Sequence, residues 1–233
     1  MIKLAALLTL LACMTCLTSF AEEKSQLVHQ LESGKQQTLV TYGTSLTANG
    51  AWVSHLEAAL EANYPGQCTL INSGGAGKNS QWGLEQLEGR VLKHKPDTVF
   101  LEFSINDAVA RFDISVEAAQ ANLETMIDRI LETNSKCEVI LMTMTPGNKY
   151  PEDHRSYRKN IEAHYEMYCT VAKKRGLQLI DHYPKWKALQ SSDSKLFKEF
   201  VPDTIHAKEQ GYSEVVTPVI LKAIGLHALD NKH

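Results

Sequence analysis

Leu39-Val40-Thr41-Tyr42-Gly43-Thr44-Ser45-Leu46-Thr47 is the stretch on which the reading of this chain turns. The run up to Tyr42 is rich in β-branched and aromatic residues, which favours a strand. It stops at Gly43, and Ser45 follows two residues later. Trp52, Val53, Leu56, Ala59 and Leu60 then form a helical stripe within residues 50–64. A serine at the C-terminal tip of a first parallel strand faces the crevice where open α/β sheets hold their ligands. Ser45 is therefore the candidate nucleophile.

The same alternation continues downstream. Pro65-Gly66 breaks the first helix, and Cys68–Ile71 reads as a second strand. A glycine-rich loop, Asn72-Ser73-Gly74-Gly75-Ala76-Gly77, follows it. Leu84, Leu87, Val91 and Leu92 mark a helix, and residues 97–103 a third strand ending in Ser104-Ile105-Asn106-Asp107. Ser115 is placed to cap a long helix whose apolar face includes Leu123, Met126, Ile127 and Ile130. Val139–Met144 is a fourth strand stopped by Pro146-Gly147, and Pro151–Arg175 is expected to be largely helical up to Gly176. Leu177–Ile180 is a fifth strand. The last helix lies between about Ala207 and Ile224, its start delayed by Gly211 and its course kinked by Pro218. Apolar strands alternating with helices indicate one α/β domain with a five-stranded parallel sheet covered on both faces.

Upstream of this domain the chain has a different character. Lys3, the apolar run Leu4–Leu17 and the small-x-small site Ser19-Phe20-Ala21 read as a secretory signal peptide over residues 1–21. The run is shorter than the ~20 residues of a membrane span, and no second span follows. A competing lipoprotein reading would anchor the chain through Cys13, but the apolar run continues past it. Either reading implies export, periplasmic or extracellular. Residues 22–36 are polar and expected to be a loose lead. Beyond the leader Cys68, Cys137 and Cys169 remain; export permits one disulfide, and buried small hydrophobes are the blander reading. A formal charge of −3 without a basic stripe argues against nucleic acid as a partner.

Strand tips gather the chemistry in such a sheet. Read in order they give Ser45, the Gly74–Gly77 loop, Asn106 and Thr145, and a last loop holds Asp203-Thr204-Ile205-His206. A serine hydroxyl is a weak nucleophile and needs an adjacent base, which His206 can be. Asp203, three residues earlier, can fix the imidazole tautomer. Backbone N–H groups of Ser45 and a loop glycine, with the Asn106 amide, can meet a developing oxyanion. Asp107 reads as an N-cap or a brace for the Asn106 loop. Arg111 is a candidate contact for an acidic or sugar substrate.

Gly43-Thr44-Ser45-Leu46, Asn72 with Gly77, Ser104-Ile105-Asn106-Asp107 and Asp203-Thr204-Ile205-His206 resemble, in order, the blocks of the SGNH/GDSL hydrolases. The resemblance spans residues 38–224, making 37–233 the hydrolase domain. It implies a three-layer flavodoxin-like fold with strand order 2-1-3-4-5, and esterase or lipase chemistry without metal or cofactor. It further implies Ser45 as nucleophile, Asp203 and His206 as triad partners, and Gly77 and Asn106 in the oxyanion hole. Gly74 or Gly75 could instead be the donor glycine. The chain departs from the family at Thr44, where an aspartate is usual and is thought to brace the turn. The substrate class implied is a small-molecule or glycan ester, with acetyl on carbohydrate favoured over lysophospholipid or thioester. A catalytically silent glycan-binding derivative is the reading from another class.

Other motifs fail on spacing. A phosphate loop ending at Gly77-Lys78 would need glycine and Ser/Thr where Asn72 and Asn79 stand. A dinucleotide fingerprint would need its third glycine at Ser80. Gly43-Thr44-Ser45-Leu46-Thr47 lacks the second glycine of the G-x-S-x-G elbow. The histidines show no HExxH spacing.

Overall fold

A computed structural model describes residues 24–147 and 150–226; the expected leader, Cys13 included, lies outside them. Five strands, β1 (Gln37–Gly43), β2 (Cys68–Asn72), β3 (Thr98–Glu102), β4 (Glu138–Thr143) and β5 (Gln178–Asp181), form one sheet in the order β2-β1-β3-β4-β5. Every pairing is parallel, with Val40 opposite Val99 and Ile71, and Leu101 opposite Leu141. All strand C-termini therefore reach the same edge.

Two apolar layers follow from the two-residue alternation of side chains along a strand. Leu39, Phe100, Ile140 and Met142 point to one face. There they meet α1 (Gln26–Glu32), α3 (Trp52–Asn63), and helices near the C-terminus. Val40, Tyr42, Val99, Leu101 and Leu141 point to the other. They meet α4 (Ser80–Arg90), α6 (Val116–Thr133) and α7 (Ile161–Arg175). Between these lie two single-turn helices at the strand tips, α2 (Ser45–Ala48) and α5 (Ser104–Asp107). Ser115 caps α6 as expected, accepting from the Ala118 N–H.

Four segments differ from the sequence expectation. The lead before β1 is not loose: α1 buries Leu27, Val28 and Leu31. Three such side chains contribute about 1.5–3 kcal/mol each, enough to hold a short helix. Its first N–H groups are also satisfied, Gln26 and Leu27 donating to the Glu138 carboxylate at 2.8 and 2.9 Å. Residues 151–160 are not helical. Their backbone pairs with the chain after α5 instead, Ala110 donating to Tyr157 and Arg111 to Arg155. Asn160, at φ 57°, sets the start of α7.

The third difference is a pair of helices the apolar spacing did not reveal, α8 (Tyr183–Ser192) and α9 (Ser194–Phe200), seated by Trp186, Phe197 and Phe200. The fourth concerns the end of the chain. Helix α10 (Glu209–Gly211) runs through a π turn (Tyr212–Val216) into α11 (Thr217–Ile224). Gly211 delays nothing; the wide turn places Pro218 in the first turn of α11, where its missing N–H costs no bond. Cys68, Cys137 and Cys169 are free thiols. No described helix is long and apolar enough to cross a membrane.

Candidate active site

Strand β1 ends at Gly43, and Thr44 turns the chain in an extended conformation before α2 begins at Ser45. Thr44 caps that turn, its Oγ1 accepting the Leu46 N–H at 3.2 Å. Ser45 thus occupies the first helical position, its backbone N–H outside the helix ladder and its side chain half-buried. Asn72 secures the turn from the neighbouring strand: its Nδ2 donates to the Thr47 carbonyl at 3.0 Å, and its Oδ1 accepts the Gly74 N–H.

The last loop supplies the base. Ser45 Oγ lies 2.9 Å from His206 Nε2, and His206 Nδ1 lies 2.7 Å from Asp203 Oδ2. An ionised carboxylate only accepts, so the proton between the latter two sits on Nδ1. Nε2 is left with a lone pair toward the serine hydroxyl. Asp203 Oδ1 closes the loop on itself, accepting the N–H groups of Ile205 at 3.0 Å and His206 at 2.7 Å. Burial pushes the Asp203 carboxyl up, but the bonds from the His206 ring and from these two amides outweigh it and hold it below the usual value. The tight turn needs Thr204 at φ 62°. Its position is set by the sheet, Thr145 Oγ1 donating to the Ile205 carbonyl at 2.8 Å.

Opposite the histidine lies the glycine-rich loop. Its three glycines separate by what each must do. A Cβ on Gly74 would lie 2.4 Å from the Ala48 N, and the Gly74 N–H is held by Asn72. The Gly75 N–H is spent on the Gly43 carbonyl at 2.8 Å. Gly77 alone of the three is at positive φ, +71°; a Cβ there would meet nothing within 4 Å, and its N–H has no partner among the described residues. Asn106 donates one Nδ2 hydrogen to the Lys78 carbonyl at 2.8 Å, next to Gly77, and keeps the other. Asp107 ties the same loops together: its Oδ1 accepts the Ser80 N–H at 2.7 Å, a bracing role. Uncommitted donors on Ser45, Gly77 and Asn106 are what a developing oxyanion requires.

Arg111 is exposed on the short turn after α5. Its guanidinium donates to Ser156 Oγ at 2.7 Å and lies over the Phe112 ring at 4.6 Å. Two residues escaped the sequence reading. Arg158 is 5% exposed and donates to the carbonyls of Ile105 and Gly147, both at 2.9 Å, and more weakly to Asn106 Oδ1 at 3.4 Å. Nothing in its polar surroundings signalled burial. Glu102 is 1% exposed and accepts from Thr44 and Thr47. Its signal was present: a carboxylate closing an otherwise apolar strand. Among the described residues no group of three or more His, Cys, Asp or Glu side chains is arranged to hold a metal ion.

Comparison with known proteins bears on this geometry. The model of the GDSL-like lipase/acylhydrolase family matches residues 40–213. Comparison with curated proteins gives no match. Among solved structures the chain is similar to Axe2, described as an acetylxylan esterase from Geobacillus stearothermophilus. That likeness has 19% identity over 85% of this chain and 98% of that one, with a TM-score of 0.69. It is similar also to LAE5, described as an α/β hydrolase enzyme from the metagenome of Lake Arreo, Spain, with 23% identity over 82% and 96% of the two chains and a TM-score of 0.68. At these identities the likeness concerns the fold.

Proposed function

This chain belongs to the GDSL-like lipase/acylhydrolase family and is a carboxylic ester hydrolase, and from that premise we propose that it is an exported serine esterase removing short acyl groups, acetyl foremost, from carbohydrate. The observation that carries the mechanism is the relay Ser45 Oγ–His206 Nε2–Asp203, at 2.9 and 2.7 Å. Ser45 Oγ attacks the ester carbonyl carbon and passes its proton to His206 Nε2. The carbonyl oxygen becomes an oxyanion held by the N–H groups of Ser45 and Gly77 and by Asn106 Nδ2. Collapse breaks the bond to the alcohol, which leaves with the proton from His206. Water, deprotonated by His206, then attacks the acyl-enzyme; the acid departs, and the Ser45 proton is restored.

Three observations support the finer reading. The Asp203 and His206 side chains are 34% and 48% exposed, so a bulky, hydrated substrate can reach them. The sequence has no long apolar insertion of the kind that covers a lipid site. Axe2, similar in fold, is described as an acetylxylan esterase. Residues 1–21 support export.

A panel of acetylated sugars, p-nitrophenyl acetate and long-chain lipid esters, assayed with the wild type and Ser45→Ala, tests the proposal. Acetate release from sugars, lost in Ser45→Ala together with fluorophosphonate labelling, is expected. Turnover confined to long-chain esters would overturn the substrate class, and wild-type turnover by Ser45→Ala would overturn the mechanism.

A further inference from the structure

Glu102 is the last residue of β3 and stands opposite Gly43 in the sheet register. A carboxyl group there is expensive, because burial takes it out of water with no counter-charge beside it. All its bonds go to the turn around Ser45. Oε2 accepts the Thr44 N–H at 3.0 Å, the Thr44 hydroxyl at 2.8 Å and the Thr47 hydroxyl at 3.2 Å. Oε1 has no partner. The fit is close: a Cβ on Gly43 would lie 2.8 Å from Glu102 Oε2 and 2.5 Å from Thr47 Oγ1. The Glu102 carbonyl lies as near, at 2.5 Å, so both the backbone and the side chain of Glu102 require glycine at 43.

The consequence for Ser45 runs through one hydroxyl. Thr44 Oγ1 has a single proton, and Glu102 takes it. The rotor is then fixed with a lone pair toward the Leu46 N–H, which is the cap of the helix that begins at Ser45. Thr47, one turn on, is held by the same oxygen. Both sides of Ser45 are therefore fastened to one atom of the adjacent strand. A bare threonine could swing its hydroxyl to solvent or to its own backbone, releasing the cap.

We propose that Glu102 is the positioning residue of the nucleophile turn: from the neighbouring strand it supplies the carboxyl brace that residue 44 lacks, and so aims the Ser45 N–H and Oγ at one reacting carbon. The proposal rests on the reading of Ser45 as nucleophile. Glu102 touches no substrate and acts only through Thr44 and Thr47.

What the turn needs from Glu102 is an accepting oxygen at Oε2. Glu102→Gln can keep one there, whereas Glu102→Met fills the space without it. Glu102→Met should lower kcat on p-nitrophenyl acetate about 10²-fold, the scale of a small misplacement of a reacting group. KM should stay within about twofold, since no binding contact is lost. Fluorophosphonate labelling of Ser45 should slow in parallel, and amide exchange over residues 44–48 should quicken. Glu102→Gln should restore most of kcat. If Glu102→Met fails to fold, Thr44→Val and Thr47→Val remove the two hydroxyl donors one at a time, and each should lower kcat in the same manner.

Wild-type kcat in Glu102→Met, or in both valine variants, would overturn the proposal. So would equal losses in Glu102→Gln and Glu102→Met with the fold intact. Failure of the underlying reading has a different signature: wild-type enzyme that turns over ester without labelling at Ser45.

Discussion

The Asn106 side-chain amide donates to the Lys78 carbonyl at 2.8 Å, joining the tip of β3 to the residue that follows Gly77. One hydrogen of Asn106 Nδ2 is spent holding the glycine loop, and the other is left for substrate. Asn106→Ala should therefore lower kcat on p-nitrophenyl acetate by about 10²–10³, the usual cost of one oxyanion donor. The circular dichroism spectrum should be unchanged, since Asp107 still binds the Ser80 N–H. An Asn106→Ala enzyme within a factor of three of wild type would remove Asn106 from the oxyanion site.

Two buried carboxyls make stability fall toward alkaline pH. Burial raises Glu102 to about 8, with hydrogen bonds from Thr44 and Thr47 pulling it down and Asp107 adding to the rise. Burial likewise raises Asp107 to about 7 against the bonds from Ser80. Each holds its proton more tightly folded than unfolded. Their contribution is whole below about pH 4 and is lost as pH rises through about 7 to 8. The urea midpoint of the wild type should fall between about pH 5 and pH 8. Glu102→Gln cannot ionise and should show a shallower fall, leaving the part due to Asp107. Identical slopes in the two proteins would mean that Glu102 titrates normally.

His182 works in the opposite direction. It is fully buried at the start of α8, and neither ring nitrogen has a partner among the described residues. Burial, aided by the charge of Lys185, lowers it to about 3. A ring kept neutral in the folded state contributes stability above about pH 6.5 that is lost as pH falls toward 3. His182→Phe deletes no hydrogen bond and cannot take up a proton. Its stability relative to wild type should improve by about 2–3 kcal/mol between pH 7 and pH 4.5, two units at 1.36 kcal/mol each. Urea titrations at both values check this, and a constant difference would contradict it.

Thr204 holds strain in the loop between Asp203 and His206. A β-branched residue at φ 62° costs about 1–2 kcal/mol, and its Oγ1 is buried without a partner. Glycine removes both costs but forfeits about 0.5–1 kcal/mol of chain entropy. Thr204→Gly should therefore be neutral or up to about 1.5 kcal/mol more stable by thermal melting. Its kcat should fall if the strain fixes the His206 ring, because glycine frees the turn. A loss of more than 2 kcal/mol in stability would show that Thr204 is held by contacts rather than strained.

The chain's own order already fixed the strand tips, because an apolar run closed by glycine, asparagine or proline says both where a strand lies and where it stops. Ser45 and Asn106 could be named for that reason, each in the single turn that follows such a stop, and Asp203 and His206 by their three-residue spacing in the last loop. Even the 2-1-3-4-5 sheet was within reach once the four blocks were seen in order.

Tertiary structure decided everything that depends on contact between distant segments. Alternation and spacing are local properties, and a side chain's burial is not. Residues 22–36 read as a loose polar lead, and only the folded chain buries Leu27, Val28 and Leu31 in one apolar cluster with residues of β1 and the C-terminal helices. Residues 151–160 were expected to be helical, and only the folded chain shows them irregular, with Arg158 buried among them and bonded to the carbonyls of Ile105 and Gly147. Which loop glycine keeps a free N–H depended on Asn72 and Gly43 taking the other two amides. Above all, Thr44 read in sequence as a missing carboxylate. Only the pairing of β1 with β3, which sets Gly43 against Glu102, shows a carboxyl group standing over that turn after all.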